Sequence, residues 1–152
     1  SGVFGEMMLT FFQGQGGSGV VIDGCIRDYT HAKNLDIGMW LRGVTPNYHT
    51  QTTQFPHAVN VPISCGGTLV LPGDIIVADD DGAVVVPEKY ALQLANKGGE
   101  HSDWEVFVRM KLAEGGHLRD YYPRKSWAEE IDQEYQHWCL ENQVEYHPFE
   151  QQ

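Results

Sequence analysis

The 152-residue chain predicts an α/β fold: a mixed sheet followed by a helical C-terminal tail. Three observations carry this. Short apolar runs of strand length, such as Ile75 to Ala78 and Ala83 to Val86, lie ahead of Glu88. Segments with helical spacing fall between and after them. Hairpins and helical crossovers both occur, so parallel and antiparallel pairing are expected together.

The elements follow in order. Phe4 to Phe12 reads as a helix, because Phe4, Met7, Met8, Phe11 and Phe12 fall on one 3.6-residue face. Glycines from Gly14 to Gly17 stop it. Gly19 to Asp23 reads as a short buried strand, so Arg27 and Asp28 sit just past a strand's C-terminal end. Tyr29 to Asp36 predicts a short helix, Ile37 to Arg42 a strand, and Thr45-Pro46-Asn47 a turn. The stretch from Tyr48 to Pro56 is polar and irregular. Val59 to Ile63 and Thr68 to Leu71 read as strands around a Cys65-Gly66-Gly67 turn, and Pro72-Gly73-Asp74 turns the chain again. Asp79 to Gly82 then joins two apolar runs as a β-hairpin.

Pro87 opens a helix through Ala95, with Glu88 in its first turn. Ser102 and Glu105 form a capping box for a second helix carrying Trp104, Phe107, Val108 and Leu112, which Gly115-Gly116 ends. Ser126 to Gln143 is a last amphipathic helix, with Trp127, Ile131, Tyr135 and Trp138 on one side. The organisation read from this is a catalytic domain over 1–122 and a helical extension over 123–152.

Composition bounds the function. Ten Lys and Arg against 21 Asp and Glu give 10 − 21 = −11. This balance argues against a nucleic-acid partner, because phosphate backbones are held by Lys and Arg. It also disfavours anionic membranes, and no run approaches the roughly 20 apolar residues of a membrane span. Small anionic substrates stay open, since a local Arg and a divalent cation reverse the local field. The three cysteines, Cys25, Cys65 and Cys139, lack CxxC spacing, which disfavours zinc and disulfides. A reducing cytoplasm is the default compartment.

Several clusters are candidates for chemistry. Gly14 to Gly19 precedes its strand and lacks a following Lys-Ser/Thr, so a tight turn fits better than a phosphate loop. Arg27-Asp28 reads as a surface ion pair or as a site. A carboxylate binds Mg²⁺ with water filling the other positions, and an Arg presents a planar fork to a carboxylate or enolate. Glu6 complements a helix dipole, while the N–H groups of the same turn offer an anion site. Asp79-Asp80-Asp81 reads as an acidic hairpin turn rather than a calcium loop. Asp23 stands as a turn or supporting residue. His31, His49 and His57 are acid–base candidates or surface histidines, and Cys25 is a core residue or a nucleophile.

The ordered set GEMM, GGSGVVIDGCIRDY, LRGVTPN, VNVPISCGGTLVLPGD and ADDDGAVVVP resembles the RraA-like family, which includes 4-hydroxy-4-methyl-2-oxoglutarate and 4-carboxy-4-hydroxy-2-oxoadipate aldolases and regulators of ribonuclease E. The resemblance runs from Val3 to Leu112. It implies a swivelling β/β/α domain in trimers or hexamers of one chain, with sites between subunits. By the match of an acid followed by Arg-Asp, Asp28 would ligate Mg²⁺ or Mn²⁺. Arg27 would hold the oxo or enolate oxygen. The backbone of Gly5, Glu6, Met7 and Met8 would receive the carboxylate of a small 2-oxo acid. The family's usual acid is Asp, and Glu6 is one methylene longer. Glu6 is a candidate base; Glu100, Asp103 and Glu105 are candidates at a neighbouring site.

The implied reaction is lyase cleavage of a 4-hydroxy-2-oxo acid to pyruvate, with oxaloacetate decarboxylation beside it. The alternatives are a non-catalytic regulator of the ribonuclease E type and a dehydratase or hydrolase of sugar-derived oxo acids. The family carries a further segment before the Gly5-Glu6 helix. The chain, which begins at Ser1, is therefore expected to be a fragment, a processed product with Ser1 at the cut, or the partner of a separate chain bearing that segment.

Overall fold

The computed structural model describes residues 2–48 and 55–149. His49 and Ser1 lie outside the described residues. The chain divides into two compact units, Ser1–Lys89 and Tyr90–Gln152.

The first unit opens with strand β1 (Gly2–Phe4), helix α1 (Glu6–Gly14), strand β2 (Gly19–Ile26), helix α2 (Tyr29–Ala32) and strand β3 (Gly38–Val44). These strands form a parallel sheet in the order β1-β2-β3. Alternation along a strand sends successive side chains to opposite faces. Val20, Ile22, Met39 and Leu41 pack on one face against buried Leu9 of α1 and Ala32 of α2. Val21 and Trp40 face the other way and line a groove of about 780 Å³.

Two antiparallel hairpins complete the unit. One pairs β4 (Ile63–Cys65) with β5 (Thr68–Val70), and the other pairs β6 (Ile75–Asp79) with β7 (Gly82–Val86). Trp40 Nε1 donates to the Asp79 carbonyl at 2.7 Å, tying the second hairpin to β3. The Asp23 carboxylate accepts from Arg42 and, at 2.8 Å, from the Gly66 N–H, tying the first hairpin to β2. The Arg42 guanidinium, with the Gly66 N–H behind it, holds Asp23 below the usual carboxylate range. The expected mixture of parallel and antiparallel pairing is present, distributed over separate sheets.

The second unit comprises α3 (Ala91–Ala113), α4 (Leu118–Tyr121) and α5 (Glu129–Asn142). Its core is aromatic. Phe107 and Tyr135 are fully buried, with Trp104, Val108 and Cys139 beside them. Phe107 lies with its ring 5.3 Å from that of Tyr135 and 5.7 Å from that of Trp127. Among the described residues no helix is long and apolar enough to cross a membrane.

Several expectations are corrected. Phe4 belongs to β1, and α1 begins at Glu6. The apolar face read from the sequence points outward: Met7 is 79% and Phe11 69% exposed, while Leu9 is the residue that packs inward. Val59 to Val61 is a bend, and pairing starts only at Ile63. Helix α2 is one turn long and ends at Ala32. Ser102 caps nothing, because α3 runs unbroken through Gly98-Gly99. Two interior glycines cost roughly 1 kcal/mol each. Burying Trp104, Phe107 and Val108 on the same helix outweighs this at about 1.5–3 kcal/mol per large side chain. The same packing joins α3 to the tail helices within the unit Tyr90–Gln152.

Candidate active site

Parallel pairing places the candidate residues together. Strands β1 and β2 run side by side, so the turn after β1 and the turn after β2 open on the same sheet end, where open α/β sheets gather ligand-binding residues. Gly5 and the start of α1 follow β1. Arg27 and Asp28 follow β2. The Arg27 N–H donates to the Phe4 carbonyl at 2.8 Å and fixes the two turns against each other.

Two glycines make room for the pair. A Cβ on Gly5 would lie 2.9 Å from both Arg27 Nη2 and Asp28 Oδ2. A Cβ on Gly2 would lie 2.4 Å from Arg27 Cγ. Arg27 Nη1 reaches the Gly2 carbonyl at 3.5 Å, and Arg27 Nε stands 3.9 Å from Asp28 Oδ2. That separation leaves an ion pair without a direct hydrogen bond. The Arg27 side chain is 25% exposed and that of Asp28 57%, so both remain open to a ligand. Asp28 adopts left-handed backbone geometry, φ 58° and ψ 32°. Such a conformation costs a non-glycine residue about 1–3 kcal/mol and recurs at functional positions.

Helix α1 contributes backbone donors. Gly5 is its N-cap and supplies no side-chain acceptor. The Met8 and Leu9 N–H groups bond to the Gly5 carbonyl at 3.1 and 3.2 Å. Among the described residues the Glu6 and Met7 N–H groups have no backbone acceptor. Of the Glu6, Met7 and Met8 amides, the first two therefore have no backbone acceptor among the described residues and that of Met8 donates to Gly5. The Glu6 carboxylate accepts from Thr10 Oγ1 at 2.8 Å, one turn along the helix. No hydrogen bond or ion pair joins it to Arg27 or Asp28.

The other candidates resolve simply. Gly14 to Gly19 is the turn between α1 and β2, with Gly16 at φ 88°. Asp79 Oδ1 accepts from the Asp81 N–H at 2.9 Å, as an acidic hairpin turn does. Cys25 sits half-buried on β2, and His31 and His57 are exposed. Glu100, Asp103 and Glu105 lie on α3, where Glu105 pairs with His101 and Arg109.

The donor set suits only some cations. Among the described residues no three His, Cys, Asp or Glu side chains converge. A protein cage for zinc is therefore not formed by them. A single open carboxylate fits Mg²⁺ or Mn²⁺, which retain several waters and take further ligands from substrate.

The RraA-like family, described as aldolase/RraA, matches residues 1–85 of the chain. The chain belongs to the RraA-like family. A protein of Halalkalibacterium halodurans, provisionally named a 4-hydroxy-4-methyl-2-oxoglutarate aldolase, is 40% identical over 98 residues, covering 62% of this chain and 46% of that protein. The crystal structure of Streptomyces coelicolor RraAS2, an unusual member of the RNase ES inhibitor RraA family, is 45% identical. It superposes with a TM-score of 0.69 over 73% of this chain and 56% of that one. An uncharacterised protein from Pseudomonas syringae pv. tomato is 28% identical, with a TM-score of 0.71 over 79% of this chain and 60% of that one. The chain spans about half the length of the curated relatives it matches.

Sequence reasoning missed the role of Gly2 and the hold of Thr10 on Glu6. A glycine two residues before an apolar stretch carries no signal until β1 brings it against Arg27. Thr10 stands four residues after Glu6, a helical spacing that was available to be read.

Proposed function

We propose that this RraA-like chain is part of a divalent-metal-dependent lyase that cleaves a 4-hydroxy-2-oxo acid and releases pyruvate. The observation that carries this reading is Gly5, whose missing side chain lets the Arg27 guanidinium and the Asp28 carboxylate come together against the start of α1. In this reading Asp28 holds Mg²⁺ or Mn²⁺, and the bound cation supplies Lewis-acid polarisation of the 2-oxo group.

The chain's own groups do the rest. The Glu6 and Met7 N–H groups donate to the substrate carboxylate at the positive end of α1. Arg27 faces the 2-oxo oxygen and stabilises the negative charge that grows there as the C3–C4 bond breaks. The 4-hydroxyl gives up its proton and becomes a carbonyl, the bonding pair passes to the pyruvate enolate, and the enolate takes up a proton. Glu6 is the proposed base, released from Thr10 when substrate binds. Loss of CO₂ from oxaloacetate gives the same enolate, so decarboxylation accompanies cleavage. The exposed Met7 and Phe11 beside the site support completion of the pocket by another copy of the chain.

A second reading has its own support: the 45% identity to RraAS2 and the net charge of −11 suit a regulator that binds a basic protein partner. One experiment separates the two. Pyruvate release is followed over a panel of 4-hydroxy-2-oxo acids and oxaloacetate, before EDTA, after it, and after Mg²⁺ or Mn²⁺ is restored. The lyase predicts turnover that EDTA abolishes and metal restores. No release from any member of the panel, or turnover indifferent to EDTA, overturns it.

A further inference from the structure

The second unit holds a buried cation that no carboxylate among the described residues pairs with. Arg124 is only 7% exposed. Its guanidinium lies 5.4 Å from the Trp127 ring centre and 5.0 Å from that of Tyr135. Nη2 donates to the His147 carbonyl, and Nε is buried without an acceptor. Nη1 makes no hydrogen bond among the described residues and is not enclosed. No Asp or Glu among them pairs with this side chain. Two aromatic faces and one carbonyl compensate part of the charge. A guanidinium this deep ordinarily gains an anion as well.

Arg124 also forms part of the wall of a cleft of about 420 Å³, a volume within the range of small-molecule sites. Lys97 adds a second cation there, and Glu100 is the cleft's one acid; His101 is already paired with Glu105 at 3.0 Å. The fixed charges sum to 2 − 1 = +1. The remaining wall is formed by Trp104, Pro148 and Phe149 and by His147, whose ring faces Glu145 at 4.0 Å. In a chain carrying −11 overall, this pocket of opposite sign stands out.

We propose that this cleft binds a small monocarboxylate with an apolar body. The carboxylate meets Arg124 Nη1 and Lys97, and the body lies against Trp104 and Phe149. The single surplus positive charge matches one negative charge, and the aromatic wall distinguishes such a ligand from inorganic phosphate. The site lies wholly within the second unit and does not depend on the lyase reading.

The test is titration of the full chain with cyclohexanecarboxylate at constant ionic strength, following tryptophan emission and the ¹⁵N resonance of the Arg124 Nε–H. The expected result is saturable binding that survives Arg27→Ala. Binding should weaken at least tenfold for cyclohexanemethanol, for inorganic phosphate and in Lys97→Gln. Arg124→Met should abolish it; should that variant fail to fold, Lys97→Gln carries the test, since an exposed lysine tolerates replacement. Equal affinity for acid and alcohol, equal affinity for phosphate, loss of binding in Arg27→Ala, or no saturable change overturns the proposal.

Discussion

Among the described residues of the N-terminal unit three apolar side chains, Leu9, Ile26 and Ala32, are fully enclosed, while Met7, Phe11, Val77 and Val84 remain in the open. In the C-terminal unit Trp104, Phe107, Tyr135 and Cys139 close on one another, and Trp127 and Trp138 pack round them. The unit with the thin core carries the candidate Arg27-Asp28 pair, and of the candidates the unit with the dense core carries only the α3 acids Glu100, Asp103 and Glu105. The contrast separates two requirements. The site needs only the local geometry of two adjacent strand-to-helix turns, fixed by backbone pairing and by glycines. The second unit is specified by side-chain packing, where each large ring removed leaves a void.

The difference can be broken first in the second unit. Phe107→Ala removes a fully buried ring and should cost about 3–5 kcal/mol. Hydrogen exchange should accelerate on α3 and α5 and remain slow on β2 and β3. A uniform acceleration would show that the two units unfold as one.

Gly5→Ala should do the reverse. Gly5 has extended backbone geometry, φ −110° and ψ 173°, which alanine adopts freely. The new methyl would press only on the tips of Arg27 and Asp28, which swing aside at little cost to folding. Pyruvate release should fall at least tenfold, about 1.4 kcal/mol in the barrier, with the thermal midpoint nearly unchanged. Unfolding of this variant, or full activity, would remove the steric account of the site.

The smallest effect is expected at Tyr135. Burial first, and its contact with Cys139 second, push the phenol above its ordinary value of 10.0. The folded state therefore favours the neutral phenol. Its contribution is complete below pH 10 and is lost as pH rises beyond that value. Among the described residues the hydroxyl has no nitrogen or oxygen partner, so Tyr135→Phe should change stability at pH 7 by less than about 1 kcal/mol. The variant should lose less stability than the parent between pH 9 and pH 11, measured by urea midpoints. An identical loss in both would place the alkaline sensitivity elsewhere.

What the sequence made legible was local. The β6–β7 hairpin was readable because two apolar runs flank a short acidic turn ending in Gly82, at φ 146°. The place of Arg27-Asp28 was readable because an apolar strand ends immediately before it. Family resemblance, rather than spacing, connected that pair to Glu6. What stayed hidden depended on tertiary context. A three-residue strand such as β1 has no period of its own and merged with the helix after it. The stripe of Met7, Met8, Phe11 and Phe12 showed that α1 has an apolar face, but not that Leu9 would be the residue turned inward. Two helices, Pro87 to Ala95 and one capped by Ser102, were read where α3 is continuous, because the aromatic packing that carries it through Gly98-Gly99 forms only in the folded unit.

The central claim is tested most directly by comparing pyruvate release from oxaloacetate and from a cleaved 4-hydroxy-2-oxo acid in the parent, Arg27→Ala and Asp28→Asn, at saturating Mg²⁺. The account predicts that Arg27→Ala lowers kcat at least a hundredfold for both substrates while hydrogen exchange on β2 is unchanged. It predicts that Asp28→Asn raises the Mg²⁺ concentration needed for half activity at least tenfold. Parent-like rates and an unshifted metal requirement in both variants would contradict it.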